Sequence, residues 1–254
     1  AVPTWMMRQE IGTSMFSIGF REEPHWVERM TLALATNFFL AIDRQEIEFT
    51  VGETVINSAS LDSILSSTEL EQVAIQADQL EELRRARRLL ECLRSEAAST
   101  HKILVPGLGE FTLHLLVKDG MPREVHVLRN GIYITDNFVK FSEPMRRFPG
   151  VQEFTAVLEP SLAVGGKSPS ALLKQLENPA HDAFEPERII EEAERETAKK
   201  QIKHLIKRVR EVIRELAKME ELDTSQLDEL SHLFGDSGSG NKRQDEEDPA
   251  KFIY

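Results

Sequence analysis

Apolar and polar positions along the chain change period several times, and each change marks an element. Trp26, Met30, Leu34, Phe38 and Ile42 keep helical spacing after Glu22-Glu23-Pro24, which puts acids and a proline at a helix start. This predicts a helix from about Pro24 to Ile42 with those five residues as its core face. Before it, Ile11 to Phe20 reads as a strand. Arg44 to Ile56 alternates around Gly52-Glu53 and predicts a hairpin, with Ile47, Phe49 and Val51 on one face. Helical spacing returns from Leu61 to Ala97, with a break near Ser66-Ser67-Thr68. There Ser67 or Thr68 can cap a helix that carries Glu69 and Glu71.

Phe111 to Lys118 reads as a strand. Asp119-Gly120 and Arg129-Asn130-Gly131 then turn the chain into Glu124 to Leu128 and Ile132 to Thr135, which predicts a β-meander. Phe154 to Leu158 is an apolar, β-branched strand. It passes Pro160 into Gly165-Gly166-Lys167-Ser168, and Pro169-Ser170 open a short helix that stops at Asn178-Pro179. From Glu185-Pro186 a long helix is expected to about Met219, striped by Ile189, Ala193, Ile202, Leu205, Ile206, Val209, Ile213 and Leu216. Its length predicts that it spans domains or packs with a partner helix rather than lying on one sheet. A short helix follows near Thr224 to Leu233. From Gly235 the composition turns to Gly, Ser and acids, which predicts disorder.

The predicted fold class is α+β: a mixed sheet with helices packed on one face, followed by a long C-terminal helix. The expected organisation is an α+β domain over 1–182, the long and short helices over 183–234, and an acidic disordered tail over 235–254. The 254 residues are 41% hydrophobic and 29% charged, so part of the chain can build a core. The net charge of −12 argues against unaided wrapping of nucleic acid or an anionic membrane. A single cysteine, Cys92, excludes an intrachain disulfide and fits a reducing, cytoplasmic compartment. No apolar run approaches the ~20 residues of a membrane span. The start at Ala-Val-Pro, without a methionine, reads as a fragment or processed product with an upstream module.

The Gly165-Gly166-Lys167-Ser168 loop carries the main candidate chemistry. Its glycines allow close backbone approach, the helix that follows adds orphan N–H groups and a positive dipole end, and Lys167 adds a mobile charge. Together they suit an anion. The same four residues also make an ordinary surface turn, and the first glycine of a Walker P-loop would fall at Ser161. Arg84, Arg85, Arg87 and Arg88 form a basic cluster, but Glu81, Glu82 and Glu91 stand at helix-neighbour spacings and favour a salt-bridged face. His114 and His126 lie inside strands without Cys or carboxylate partners at ligand spacing. Both read as structural, and no metal site is expected.

In order along the chain, these pieces resemble a family. Val125 to Phe141, VHVLRNGIYITDNFVKF, resembles the middle-domain segment of ninety-kilodalton heat-shock chaperones. The strand, the Gly-Gly-Lys loop and LLKQLENP resemble the region of DNA gyrase B subunits around their Gln-Thr-Lys loop. Both are transducer domains of GHKL ATPases, of the ribosomal-protein-S5-like kind. The opening GTSMFSIGF and the NPAHDAFEPER run are similar to bacterial proteins that carry an N-terminal ATPase module of this type. The likeness covers roughly residues 11 to 190. It departs from gyrase at the loop, where Val164, Gly165 and Gly166 precede the lysine.

The resemblance implies that Lys167, held by Gly165, Gly166 and Ser168, reaches the γ-phosphate of ATP bound with Mg²⁺ by an adjacent ATPase domain. Loss of that phosphate would then reorient the long helix. The family's Mg²⁺-holding Asn and Glu and its Asp-x-Gly-x-Gly segment are not found in this sequence, so the chain alone is not expected to hydrolyse ATP. The expected partners are the adjacent ATPase domain and a second copy of the chain in a homodimer; nucleic acid is possible but not indicated by net charge, and no membrane is expected. The rival reading is a non-enzymatic helical interaction or scaffold module. A stand-alone enzyme built on His181-Asp182 near Lys167 has no nucleophile beside it.

Overall fold

The computed structural model describes residues 23–141, 145, 148–161, 168–180 and 182–218, with single positions at 13, 19 and 21. The strand expected over 11–20 apart from Thr13 and Gly19, together with Gly165, Gly166, Lys167, His181, the helix expected over 224–233 and the tail from 235, lies outside the described residues.

Helix α1 (Trp26–Asp43) is followed by a hairpin, β1 (Phe49–Val51) and β2 (Thr54–Ile56), turning at Gly52-Glu53 as expected. Three helices come next, α2 (Leu61–Ser66), α3 (Thr68–Gln76) and α4 (Leu80–Arg94). The first break is the one anticipated, since the Ser67 side chain accepts a hydrogen bond from the Leu70 backbone N–H. A second break follows at Asp78, which has a positive φ. Strands β3 (Ser99–Val105), β4 (Gly109–Val117), β5 (Glu124–Arg129), β6 (Ile132–Thr135) and β7 (Phe154–Pro160) form one sheet in the order β3-β4-β7-β5-β6. Helix α5 (Pro169–Leu176), a 3₁₀ turn at Pro186–Arg188 and helix α6 (Glu192–Leu216) complete the described chain.

The sheet is mixed: β7 runs antiparallel to β4 and parallel to β5. This corrects the meander, because β4 and β5 are not neighbours. β7 is buried on both faces, which suits the centre of a sheet and not an edge. Its two faces serve two cores. Phe154, Ala156 and Leu158 join Phe111, Leu113, Val125 and Val127 against Leu173 and Leu176 of α5 and Ile202, Leu205, Val209 and Ile213 of α6. Val157, with Leu116 and Leu128, faces Leu32 and Phe39 of α1 and Leu83, Ala86 and Leu89 of α4. Helices therefore cover both faces, where one had been expected. Each fully buried Leu or Phe in these cores contributes about 1.5–3 kcal/mol.

Two helices differ in detail from the periodicity reading. In α1 the buried face is Leu32, Ala35, Phe39 and Ile42, while Met30 is 43% exposed. A strict i,i+4 row winds steadily around a helix of 3.6 residues per turn, so Trp26 and Ile42 cannot share one face. The long helix begins six residues after Pro186, past an exposed Ile190, and Leu216 also stays partly exposed. Rather than leaving the sheet, α6 packs on it, with Ile202 to Ile213 in the same core as β4 and β7. Residues 182 and 183 lie in the turn closed by the antiparallel bridge between Glu177 and Phe184. No helix among the described residues is long and apolar enough to cross a membrane.

Candidate functional site

The segment between β7 and α5 is anchored at both ends by one short piece of β4. The Ser161 N–H donates to the Glu110 carbonyl at 2.9 Å. At the other end, the Pro169 ring lies against Gly109, where a Cβ would come within 2.9 Å of the ring; Gly109 also has φ +134. Only glycine fits there. Ser168 is extended and nearly buried, and its Oγ accepts from the Ala171 N–H at 3.1 Å, capping α5 with Pro169 at the first helical position. Its oxygen thus caps α5 as an acceptor, which leaves its O–H as a donor. Of the four loop residues singled out by sequence, Ser168 is thus placed, and Gly165, Gly166 and Lys167 lie outside the described residues.

Two clefts flank this anchor. One, of about 370 Å³, is walled by Ser168, Ala171 and Gln175 of the α5 region, by Gly107 and Leu108 of the β3–β4 turn, and by Glu194, Thr197 and Gln201 of α6. The other, of about 510 Å³, is lined by Arg44, Thr112, His114, Asn130, Gly131 and Glu159. In it Glu159 accepts two 2.9 Å bonds from the Arg44 guanidinium and stands 3.5 Å from His114 Nε2. Burial pushes the Glu159 carboxyl up, but hydrogen bonds from His114 and Arg44 outweigh it and leave the group below the usual carboxylate range. His114 Nδ1 lies 3.2 Å from Thr100 Oγ1, so one polar chain crosses β3, β4 and β7 to the end of α1.

The motifs that carried the resemblance have structural work of their own. Arg129, at the end of β5, meets the buried carboxylate of Glu177 just past α5 through two bonds of 2.5 and 2.9 Å. Beside it Gly131 (φ +71) sits on α1, where a Cβ would lie 2.7 Å from Ala41 Cβ. The Ser170 hydroxyl is 3.3 Å from Asn130 Oδ1. The Arg-Asn-Gly turn and the Leu-Glu-Asn-Pro run thus fasten the β5–β6 turn to both ends of α5. Asp182 belongs to a local turn: it receives a 2.6 Å bond from Asn178 Nδ2, and its own N–H donates to Asn178 Oδ1 at 3.1 Å.

The arginine cluster is largely ion-paired, with Arg84 on Glu81 at 2.9 Å, Arg87 on Glu71 at 3.1 Å, and Arg85 stacked 3.9 Å over Tyr133. The histidines do have carboxylates near them, contrary to the sequence reading. Glu124 and Asp136 stand with His126 so that one ligand atom from each lies within 4.8 Å of the others. Arg88 is 4.0 Å from that Glu124, so cationic charge already reaches the group. Glu124 lies two residues from His126 on one strand face, and Glu159 faces His114 from the next strand; the first of these was legible as period-two spacing. Cys92 is buried, and burial pushes its thiol up to about 12, which removes it as a nucleophile near neutral pH. Comparison of the chain with protein families, with curated proteins and with solved structures gave no match.

Proposed function

We propose that this chain is the coupling, or transducer, region of a GHKL-type ATPase. On this reading Lys167, with Gly165, Gly166 and Ser168, contacts the γ-phosphate of ATP that an adjacent domain holds together with Mg²⁺, and nucleotide state is relayed to α6. The observation that carries the reading is the cleft in which the end of the lysine loop and the first half of the long helix are neighbours: Ser168 and Ala171 on one wall, Glu194, Thr197 and Gln201 on the other. A change in charge at the loop tip passes through the capped first turn of α5 and needs no long pathway to reach α6. One charge pair biasing a two-state interface is an established form of switch. The ordering of sequence motifs along the chain supports the same reading.

The test uses the complete ATPase. Lys167→Ala should lower steady-state ATP turnover by about 10²–10³-fold, the usual loss of one donor at a developing phosphate charge. Lys167→Arg should restore only part, because a planar fork fits a single-point contact poorly. Hydrogen exchange in α6 should respond to ATP in the parent and not in Lys167→Ala. Turnover untouched by Lys167→Ala defeats the proposal.

A further inference from the structure

Between Lys199 and Arg214 the chain carries seven Lys or Arg and a single acid, Glu211, within a protein of net charge −12. Helix geometry sorts these charges. Lys200, Lys203, Lys207 and Arg214, with His204, share one solvent-facing stripe, and all are exposed. Two acids stand in line with the stripe and are engaged from its sides: Glu196, four residues before Lys200, accepts from Lys199 at 2.8 Å, and Glu211, between Lys207 and Arg214, pairs with Arg208. The Lys199 hydrogen bond, with the nearby charges of Arg195 and Lys200, holds the Glu196 carboxyl below the usual carboxylate range. Lys200, Lys203 and Arg214 make no ion pair among the described residues, and Lys207 reaches Glu211 only at 4.0 Å.

The opposite face of the same helix narrows the partner. Ile202, Leu205, Ile206, Val209 and Ile213 are buried in the sheet core. No apolar face remains to insert into a bilayer or to seat a second helix. The stripe itself holds no aliphatic side chain and a single aromatic one, the His204 imidazole, so it lacks the apolar centre of a protein interface, where lysine is depleted, and lacks the successive stacking platforms a single strand uses. What it offers is a row of point charges. From Lys200 to Arg214 it runs about 21 Å, the axial rise of about six base pairs. The acidic remainder of the chain is screened beyond about 8 Å at physiological salt.

We propose that this stripe of α6 docks on the phosphate backbone of a nucleic-acid duplex, without reading sequence. The proposal stands apart from the ATP reading, since it uses only exposed side chains of α6. The probe is a short labelled DNA duplex titrated with the full chain at several salt concentrations. Four phosphate contacts predict a slope of log K against log salt near −3.6, so affinity should fall by about 150-fold between about 50 and 200 mM. Lys200→Ala/Lys203→Ala/Lys207→Ala should reduce the slope to about −1 and the low-salt affinity by at least about tenfold. The matching triple Arg variant should keep both. These positions are exposed, so circular dichroism and thermal unfolding should match the parent within about 0.5 kcal/mol. Absence of duplex binding at the lowest salt overturns the proposal. So does binding that the triple Ala variant retains, or equal affinity for anionic phospholipid vesicles or for polyglutamate.

Discussion

Arg129→Met removes one partner of a buried ion pair and leaves the other in place. Glu177 has a side chain only 1% exposed and Arg129 one that is 12% exposed, and two charge-assisted bonds join them. The variant takes two charge-assisted bonds away from a carboxylate that stays buried, so the cost is that of a buried charge losing its guanidinium, up to about 3–5 kcal/mol. For a unit of this size that lowers Tm by about 6–20 °C. The pair itself contributes far less than its loss suggests, because both charges were desolvated to form it. Arg129→Met combined with Glu177→Leu should therefore return to within about 1 kcal/mol of the parent, or exceed it. Urea unfolding of the parent, both single variants and the double variant gives the coupling energy directly. A loss below about 1 kcal/mol for Arg129→Met, or a double variant as unstable as the two singles added together, would refute the argument.

Three further outcomes follow from geometry. Glu159 has a lowered pKa in the folded chain, so its contribution to stability is full above the ordinary carboxylate range near about 4.3 and drains away as pH falls below it. Glu159→Gln should flatten the acid limb of stability measured by urea midpoints from pH 6 down to pH 3; parallel limbs would contradict this. Gly131→Ala puts a Cβ 2.7 Å from Ala41 Cβ at φ +71, and should cost about 2 kcal/mol or more, read as a shift in urea midpoint; a neutral change would mean that α1 can move away freely. Gly109→Ala should do similar damage through the Pro169 ring while leaving the Gly120 turn, where a Cβ meets nothing within 4 Å, tolerant of Ala apart from its φ of +82.

The elements whose signals are local were readable from the residues. Ser67 announced its own cap, Gly52-Glu53 its turn, and Pro169 the start of α5. Pairing partners were not readable in the same way. Nothing in Phe154 to Pro160 says that it separates β4 from β5; only its burial on both faces hints at a central place. Strand β3 escaped because Ser99, Thr100 and Lys102 hide its alternation, in which His101, Ile103 and Val105 face inward. The Lys167 loop was legible as a candidate, whereas the Gly109-Glu110 anchor beneath it was not. That anchor depends on a strand some fifty residues earlier, and such contacts leave no periodic trace. The basic stripe of α6 was visible as charge, but that Lys199 and Arg208 engage the acids in line with it, Glu196 and Glu211, is a matter of which rotamers they adopt.

The place of β7 also governs the order in which the chain can become a protein. β3 with β4, and β5 with β6, are each joined by a short turn and can close as soon as they are made. Until Phe154–Pro160 arrives, the two pairs are separate ribbons, and β4 and β5 each present an open edge of the kind that invites aggregation. β7 is the seam that turns two ribbons into one sheet, and among the described strands it is the last to be synthesised. Opening that seam later would undo both cores together, since Val157 and Leu158 belong to different ones. Amides on the inner edges of β4 and β5 should therefore exchange with one shared opening free energy, close to that of global unfolding.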